Sequence, residues 1–199
     1  MECNFFCQWL CPFADFPTPN APSRAPWTAN RTCFPRRRWD ALTDRNHCLG
    51  FKRFAGRGLR YVLVWRGHWM GLAGWQSGDF KCRPRDRRIG WSRTLQFSCP
   101  HLIGNNNRFL IRAAPDVFPN LASHALAAMT QTLSADRQAE YGHPQLLAET
   151  FVDLDRFSGS MYQAAGWSCV GRTKGSARSN GRCNDPHCRK KQMYVRRLR

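Results

Sequence analysis

The sequence predicts an α+β domain built around a mixed β-sheet. Residues 59–75 are rich in β-branched and aromatic residues and are interrupted by Arg66 and Gly67, which is typical of a β-hairpin. Residues 108–153 contain a strand, a long helix and a second strand, and a right-handed crossover of this kind makes its two strands parallel. A short helix and further strands follow in the C-terminal third. Antiparallel and parallel pairs in one chain together indicate a mixed sheet.

The N-terminal segment, residues 1–35, differs in composition from the remainder of the chain. It holds six prolines and four cysteines and has no helical or strand period, so we expect a poorly ordered extension. Residues 36–199 are expected to form a single domain. Its first element is a short helix that begins near Arg36 and stops at Gly50, a residue type common at helix ends.

Two elements are expected between the hairpin and the long helix. Residues 78–101 are predicted to be a basic loop region, and residues 109–111 a short buried strand. Three consecutive asparagines at 105–107 precede that strand. They could read base edges or hold turns by bonding their own backbone, and we favour turns.

The long helix is the clearest element in the sequence. Apolar residues repeat at helical spacing from Leu121 to Leu133, Asn120 can cap the first turn, and Gly142 ends the helix. The elements predicted after it are a strand over residues 145–153, a short helix over 158–166, and strands over 167–173 and 192–198.

The chain is strongly and unevenly basic. Its formal net charge is +18, from 31 Lys+Arg against 13 Asp+Glu. Residues 171–199 carry ten basic residues and one acidic residue, and residues 81–93 carry six basic residues and one acidic residue. Residues 113–165, in contrast, carry two arginines and six acidic residues. Clustered positive charge favours a polyanionic partner, most simply DNA or another nucleic acid. A solvated arginine-rich surface is the alternative.

Several classes of protein are disfavoured by the sequence. No apolar run reaches about 18 residues, so neither a transmembrane helix nor a membrane partner is expected. The N-terminus lacks the charge pattern of a signal peptide, and we expect a cytoplasmic protein with reduced cysteines. The spacings of Cys3, Cys7 and Cys11, and of residues 183–188, do not match the paired cysteines of structural zinc sites. No metal and no cofactor is therefore predicted.

Residues 149–167, ETFVDLDRFSGSMYQAAGW, lead from a strand into a short helix. The ending Tyr162-Gln-Ala-Ala-Gly166-Trp167 and the order of elements resemble the GNAT (Gcn5-related N-acetyltransferase) superfamily, in which this stretch often ends Tyr-x-x-x-Gly-Phe. The resemblance implies a GNAT-like fold, with Tyr162 as a general acid that protonates the departing CoA thiolate. Residues 114–123 correspond to that superfamily's glycine-rich pyrophosphate loop, but they contain no glycine and two prolines. This composition argues against a CoA site.

A second resemblance extends from residue 39 to the C-terminus. The motifs that carry it are HCLGF (47–51), GRGLRYVLV (56–64), RDRRIGW (85–91), NNNRFLI (105–111), PNLASHAL (119–126), ETFVDLDRFSGSMYQAAGW (149–167) and VGRTKG (170–175). Taken in this order, they resemble the Druantia anti-phage system protein A family, whose domain is also found fused to, or encoded beside, transposases. The resemblance implies a role in phage defence or mobile-element biology, with other defence-system or transposase proteins as candidate partners. It supplies no mechanism.

Basic residues in and between the charged segments are candidates for phosphate contacts. They are Arg85, Arg87, Arg88, Arg108, Arg172, Lys174 and Arg178. The alternative is a solvated loop around residues 85–88 and a flexible linker around 172–178.

The catalytic candidates are Tyr162, Glu149 and Asp153. Glu149 and Asp153 lie four residues apart on a predicted strand, so their side chains should share one face. They could bind a divalent metal for nuclease-like chemistry or form an ion pair with Arg108 or Arg156, and we favour the ion pair.

Three functional hypotheses follow from the sequence. The favoured one is a nucleic-acid-associated accessory protein of a defence system or transposable element that binds DNA through its basic segments. The second is an acyltransferase-like enzyme that uses Tyr162 as general acid with a non-standard donor. The third is an inactive fragment of a mobile element.

Overall fold

The structure is a computed structural model that describes residues 28–30, 34–113, 118–175, 177–179, 182–185 and 189–198. For Asn30 and for residues 177–179 and 182–185, it describes the backbone only. The α-helices are α1 (Arg36–Asn46), α2 (Arg83–Ile89), α3 (Arg93–Ser98), α4 (Leu121–Tyr141) and α5 (Ser160–Ala164). The strands are β1 (Thr28–Asn30), β2 (Gly58–Trp65), β3 (His68–Ser77), β4 (Ile103–Ile111), β5 (Leu147–Val152), β6 (Ser168–Arg172), β7 (Ala177–Ser179), β8 (Arg182–Asp185) and β9 (Gln192–Arg197).

Seven of these strands form one mixed sheet in the order β1-β2-β3-β4-β5-β9-β6. The pair β4–β5 is parallel and the other neighbours are antiparallel. The α4 helix makes the crossover between β4 and β5, as the strand–helix–strand pattern predicted. Strands β7 and β8 pair with each other outside this sheet. The α+β class and the mixed sheet predicted from the sequence are confirmed.

The β2–β3 hairpin is confirmed, with Arg66 and Gly67 at its turn. Their φ angles are 47° and 80°. Two positive φ values match the turn type that suits the right-handed twist of a hairpin. The short strand β1 pairs with β2 on the far edge of the sheet and lies within the segment 1–35.

Helices cover both faces of the sheet. Alternate residues of β2 face opposite ways. Tyr61 and Leu63 pack with Leu133 and the other buried apolar residues of α4. Val62 packs on the opposite face with Trp39 of α1. The main core therefore lies between α4 and the sheet, and a second apolar cluster lies under α1.

The prediction of a loop over residues 78–101 is wrong, because this region contains α2, α3 and a 3-10 turn at Pro100–Leu102. An Asp86 carboxylate oxygen accepts the backbone N–H of Cys82 at 3.0 Å, which satisfies a free donor at the start of α2. Gly90 ends the same helix with φ of 72°. The signals that begin and end α2 therefore lie within its own short sequence. Its arginines, however, give the helix no apolar period.

The turn interpretation of the three asparagines is also wrong. Strand β4 begins at Ile103, before Asn105, so the three asparagines lie within the strand. Asn105 pairs with both β3 and β5, and Asn106 pairs with β3. Asn106 donates a side-chain bond to the Gly74 carbonyl at 3.2 Å, next to the register shift between β3 and β4. Asn120 precedes α4 in a left-handed conformation, and its side chain makes no capping bond.

None of the helices among the described residues has the length and apolar character needed to cross a membrane.

Candidate nucleic-acid interface

Helix α2 is attached to the sheet by a buried ion pair. The Arg85 Nη1 atom lies 2.8 Å from Glu149 Oε2 on β5, and neither side chain has exposed surface. Arg85 Nε also donates to Asp86 Oδ1 at 2.9 Å. The expectation that Arg85 contacts phosphate is corrected, because its guanidinium is buried on these two carboxylates. The Asp86 carboxylate fixes the Arg85 guanidinium in the protein interior.

Burial disfavours the charged form of Glu149, and Arg85 offsets this effect only in part. Burial raises the pKa of Glu149 to about 7, although the nearby Arg85 acts to lower it. Burial works to lower the pKa of Arg85, but its two carboxylate partners outweigh burial and raise it. One guanidinium neutralises one carboxylate, so a proton on Glu149 makes the group of Arg85, Asp86 and Glu149 neutral.

The other charged residues of α2 point away from the sheet. Because Arg85 and Asp86 face inward, the side chains of Arg83, Arg87 and Arg88 are left exposed on the outer side of the helix. Arg83 and Arg87 line a cleft of about 500 Å³ together with Lys81 and Trp91. A larger cleft of about 1370 Å³ is also lined by Trp91, and Arg88, Arg196 and Arg197 are among its other lining residues.

Strand β6 brings the second basic segment to the same region. A Cβ placed on Gly171 would lie 3.5 Å from Pro84 Cβ, so β6 and α2 are in contact. Arg172 and Lys174, one and three residues after Gly171, are exposed. The Thr173 N–H donates to the Lys191 carbonyl at 2.9 Å, which holds this end of β6 beside the start of β9.

The two basic segments of the sequence, 81–93 and 171–199, therefore meet in space. We call the exposed basic residues at this junction the basic face. It consists of Lys81, Arg83, Arg87 and Arg88. Of the residues predicted to bind nucleic acid, Arg87 and Arg88 lie on it. Arg172 is exposed at the end of β6, but Gly171 is the residue that faces α2, so the side chain of Arg172 lies on the opposite face of the sheet. Lys174 is also exposed, two residues beyond the end of β6. The side chain of Arg178 lies outside the part of the chain that the structure describes.

Arg108 has a structural position away from the basic face. Its Nε donates to the Gly50 carbonyl at 2.6 Å and its Nη1 to the Asn107 carbonyl at 2.7 Å. These bonds tie the loop after α1 to β4. The expected pairing of Arg108 with Glu149 is corrected, because Arg85 takes that position.

Tyr162 is buried beside the opening between β4 and β5. The two strands pair only from Ile103 and Leu147 to Asn105 and Glu149. Beyond that point side chains connect them. The Tyr162 hydroxyl donates to Asn106 Oδ1 at 2.9 Å and accepts from Thr150 Oγ1 at 3.2 Å.

The phenol of Tyr162 is therefore fully engaged in the core. Its ring stacks on Tyr194 with centroids 5.8 Å apart and meets Trp167 edge-on at 5.2 Å. Burial raises the pKa of Tyr162 to about 12. Tyr162 lines neither of the two clefts beside α2.

Asp153 does not join Glu149 in one site. It follows the last residue of β5, and its carbonyl accepts the N–H of Phe157 at 2.9 Å in a turn. Its carboxylate lies 3.9 Å from Arg189 Nη1, a different partner from that of Glu149. The shared face expected for the two acids is corrected, because the strand ends between them. The described residues contain no cluster of three or more His, Cys, Asp or Glu side chains suited to a metal ion.

Several residues at the interface were not candidates from the sequence. Lys81, Arg83, Arg196 and Arg197 line the clefts, and Trp91 lines both of them. The density of basic residues in 81–93 and 171–199 was the available signal for the cations. No sequence pattern indicated that Trp91 would line two clefts.

The mixed sheet, the α4 crossover and the opening between β4 and β5 define a GNAT-like domain. Among solved structures, the chain is similar to the aminoglycoside acetyltransferase AAC(6')-Ib in complex with paromomycin and acetyl-CoA. That comparison has a TM-score of 0.53 and 12% identity, and it covers 86% of this chain and 93% of the other. The same enzyme with coenzyme A and kanamycin gives a TM-score of 0.52 at 11% identity, with coverage of 86% and 94%. At such identity the similarity shows the fold alone.

The family is shown by a different comparison. The family model of Druantia protein DruA matches residues 31–193, and the chain belongs to this family. Membership associates the chain with anti-phage defence. No curated protein matches the chain.

Proposed function

We propose that the protein is a DNA-binding accessory component of an anti-phage defence system or of a related mobile element. The observation that carries the proposal is the group of exposed basic residues on and beside α2. Arg83 and Arg87 line one cleft together with Lys81, while Arg85 is buried and anchors the helix. Family membership supplies the defence context.

The arrangement suits a phosphate backbone. DNA carries regularly spaced negative charges, and each basic side chain that neutralises a phosphate releases a condensed counterion. The basic face offers several cations on and beside one short helix, and packing of Pro84 against Gly171 holds that helix against β6. Positions fixed by the fold lose less conformational entropy on binding than a flexible arm does.

The acyltransferase-like alternative has weaker support. The Tyr162 hydroxyl is bonded to Asn106 and Thr150 in the core and borders neither cleft. Residues 114–117, within the stretch that would cradle a pyrophosphate, lie outside the described residues. The inactive-fragment alternative is opposed by the continuous core between α4 and the sheet.

The proposal is tested by fluorescence-anisotropy titration of duplex DNA over a series of salt concentrations. We expect binding that weakens linearly in a log–log plot, because counterion release depends on salt. The variant Arg87→Ala with Arg88→Ala should bind more weakly. It should reduce the magnitude of the slope by about one for each phosphate contact removed.

The matched control is Arg45→Ala. Arg45 is an exposed arginine in the last turn of α1. This helix packs on strands β2, β3 and β4. Removal of Arg45 changes net charge by half as much as the double variant and leaves the basic face intact. Absence of binding at low salt, or equal effects per charge at Arg45 and at α2, would contradict the proposal.

A further inference from the structure

Two phenylalanines beside the basic face are unusually exposed. Phe80, just before α2, is 48% exposed, and Phe97 of α3 is 47% exposed. Their ring centroids lie 6.4 Å apart with 31° between the ring planes. The two rings form an apolar patch, a feature that commonly marks a binding surface.

The patch adjoins the smaller basic cleft. The Lys81 Nζ atom lies 5.2 Å from the centre of the Phe97 ring. Gln96, the residue before Phe97, lines that cleft together with Lys81 and Arg87. Flat apolar surface and positive charge therefore occur side by side within one segment of the chain.

We infer that this patch and cleft bind unpaired bases of a single DNA strand, with the rings of Phe80 and Phe97 as the stacking surface. The inference rests on the proposed function and specifies the form of DNA that the face takes. An unpaired strand offers an anionic backbone and flat aromatic bases at neighbouring positions, whereas a duplex encloses its bases. Stacking on aromatic side chains beside cations is the general means of binding single strands. A purely apolar protein partner would cover the rings but leave Lys81 and Arg87 without counter-charge.

The test compares a single-stranded oligonucleotide of mixed sequence with its own duplex at one salt concentration. We expect the protein to bind the single strand more tightly. Phe80→Ala with Phe97→Ala should weaken single-strand binding at least about fivefold, from the stacking that each ring loses, and should change duplex binding much less. Phe97→Leu keeps an apolar side chain of similar size without a ring face, and we expect it to weaken single-strand binding too.

The matched control is Phe157→Ala. Phe157 is 41% exposed but lies in the turn after β5, beside Asp153 and Asp155, whose carboxylates face Arg189. We expect its removal to leave both affinities unchanged. Thermal unfolding of each variant shows whether the fold is kept, and Phe97→Leu keeps the test valid if the double variant unfolds.

The outcomes separate this inference from the proposed function. Equal affinity for the two DNA forms, with no effect at Phe80 and Phe97, would overturn the stacking inference and leave duplex binding standing. Wild-type affinity in Phe97→Leu would overturn it as well, since apolar contact without a ring would then suffice, as expected for a protein partner. Failure to bind either form at low salt would overturn the proposed function and the inference together.

Discussion

Arg85 and Glu149 form a fully buried ion pair that joins α2 to β5, with 2.8 Å between Nη1 and Oε2. The two residues are 64 positions apart in the sequence. The pair determines which side of α2 faces solvent, so the basic face depends on a contact in the interior. Buried pairs of this kind contribute little net stability, but removing one partner leaves an uncompensated charge.

Arg85→Ala should destabilise the protein by about 3–5 kcal/mol, because Glu149 and Asp86 would lose their shared cation in the interior. Chemical denaturation at neutral pH measures the change in the free energy of unfolding. Arg87→Ala is the control, since an exposed side chain on the same helix should change stability by no more than about 0.5 kcal/mol. Similar losses for both variants would show that Arg85 is not held as the structure shows.

Stability should fall as pH rises toward and through neutrality because of Glu149. Its pKa is raised from 4.5 to about 7 in the fold. A carboxyl group whose pKa is raised by folding contributes its full stability below the unfolded pKa, and that contribution is lost as pH rises through the folded pKa. The loss is about 3 kcal/mol between the two limits.

The measurement compares the free energy of unfolding at pH values below and above this range for the wild type and for Glu149→Gln. The amide still accepts a hydrogen bond from Arg85 but does not titrate. We expect the wild type to lose more stability than the variant on going to the higher pH. Parallel curves for the two proteins would mean that folding does not shift the pKa of Glu149.

Much of the fold could be predicted because its signals are local. The hairpin turn at Arg66 and Gly67 and the apolar period of α4 are both contained in short windows of sequence. Helix α2 has no such period, because the inward position is occupied by Arg85. From the sequence, Arg85 is expected to face solvent, because its partner Glu149 is distant in the chain. Strand β1 has three residues, too few to show a pattern.

The candidate site could be predicted only in part, because local signals do not show which of its residues have distant partners. Charge density indicated a basic surface, but Arg85, Arg87 and Arg88 are identical in type and close together in the sequence. Only tertiary packing distinguishes the buried one from the two exposed ones. Glu149 and Asp153 failed as a pair because β5 ends at Val152, and strand boundaries depend on the neighbouring strand β9 as well as on local sequence.

Tyr162→Phe should destabilise the protein by about 1–3 kcal/mol without changing DNA affinity. The substitution removes a hydroxyl that bonds Asn106 and Thr150, and it leaves Asn106 Oδ1 with one fewer partner in the core. Thermal or chemical unfolding measures the first effect and anisotropy titration the second. Tyr162 would have a functional role if the variant kept its stability and lost DNA binding.

Gly159→Ala should cost more stability than Gly142→Ala, although the two glycines have nearly the same backbone conformation. Their φ angles are 75° and 74°, so both substitutions incur the left-handed penalty of about 1–2 kcal/mol. A Cβ at Gly142 meets no atom within 4 Å, whereas at Gly159 it would lie 2.6 Å from the Tyr194 hydroxyl oxygen and 2.9 Å from its ring. Tyr194 is 1% exposed and stacks on Tyr162, so it has little freedom to move. The difference between the two free energies of unfolding isolates this steric contribution, and equal losses would show that Tyr194 yields to the added methyl group.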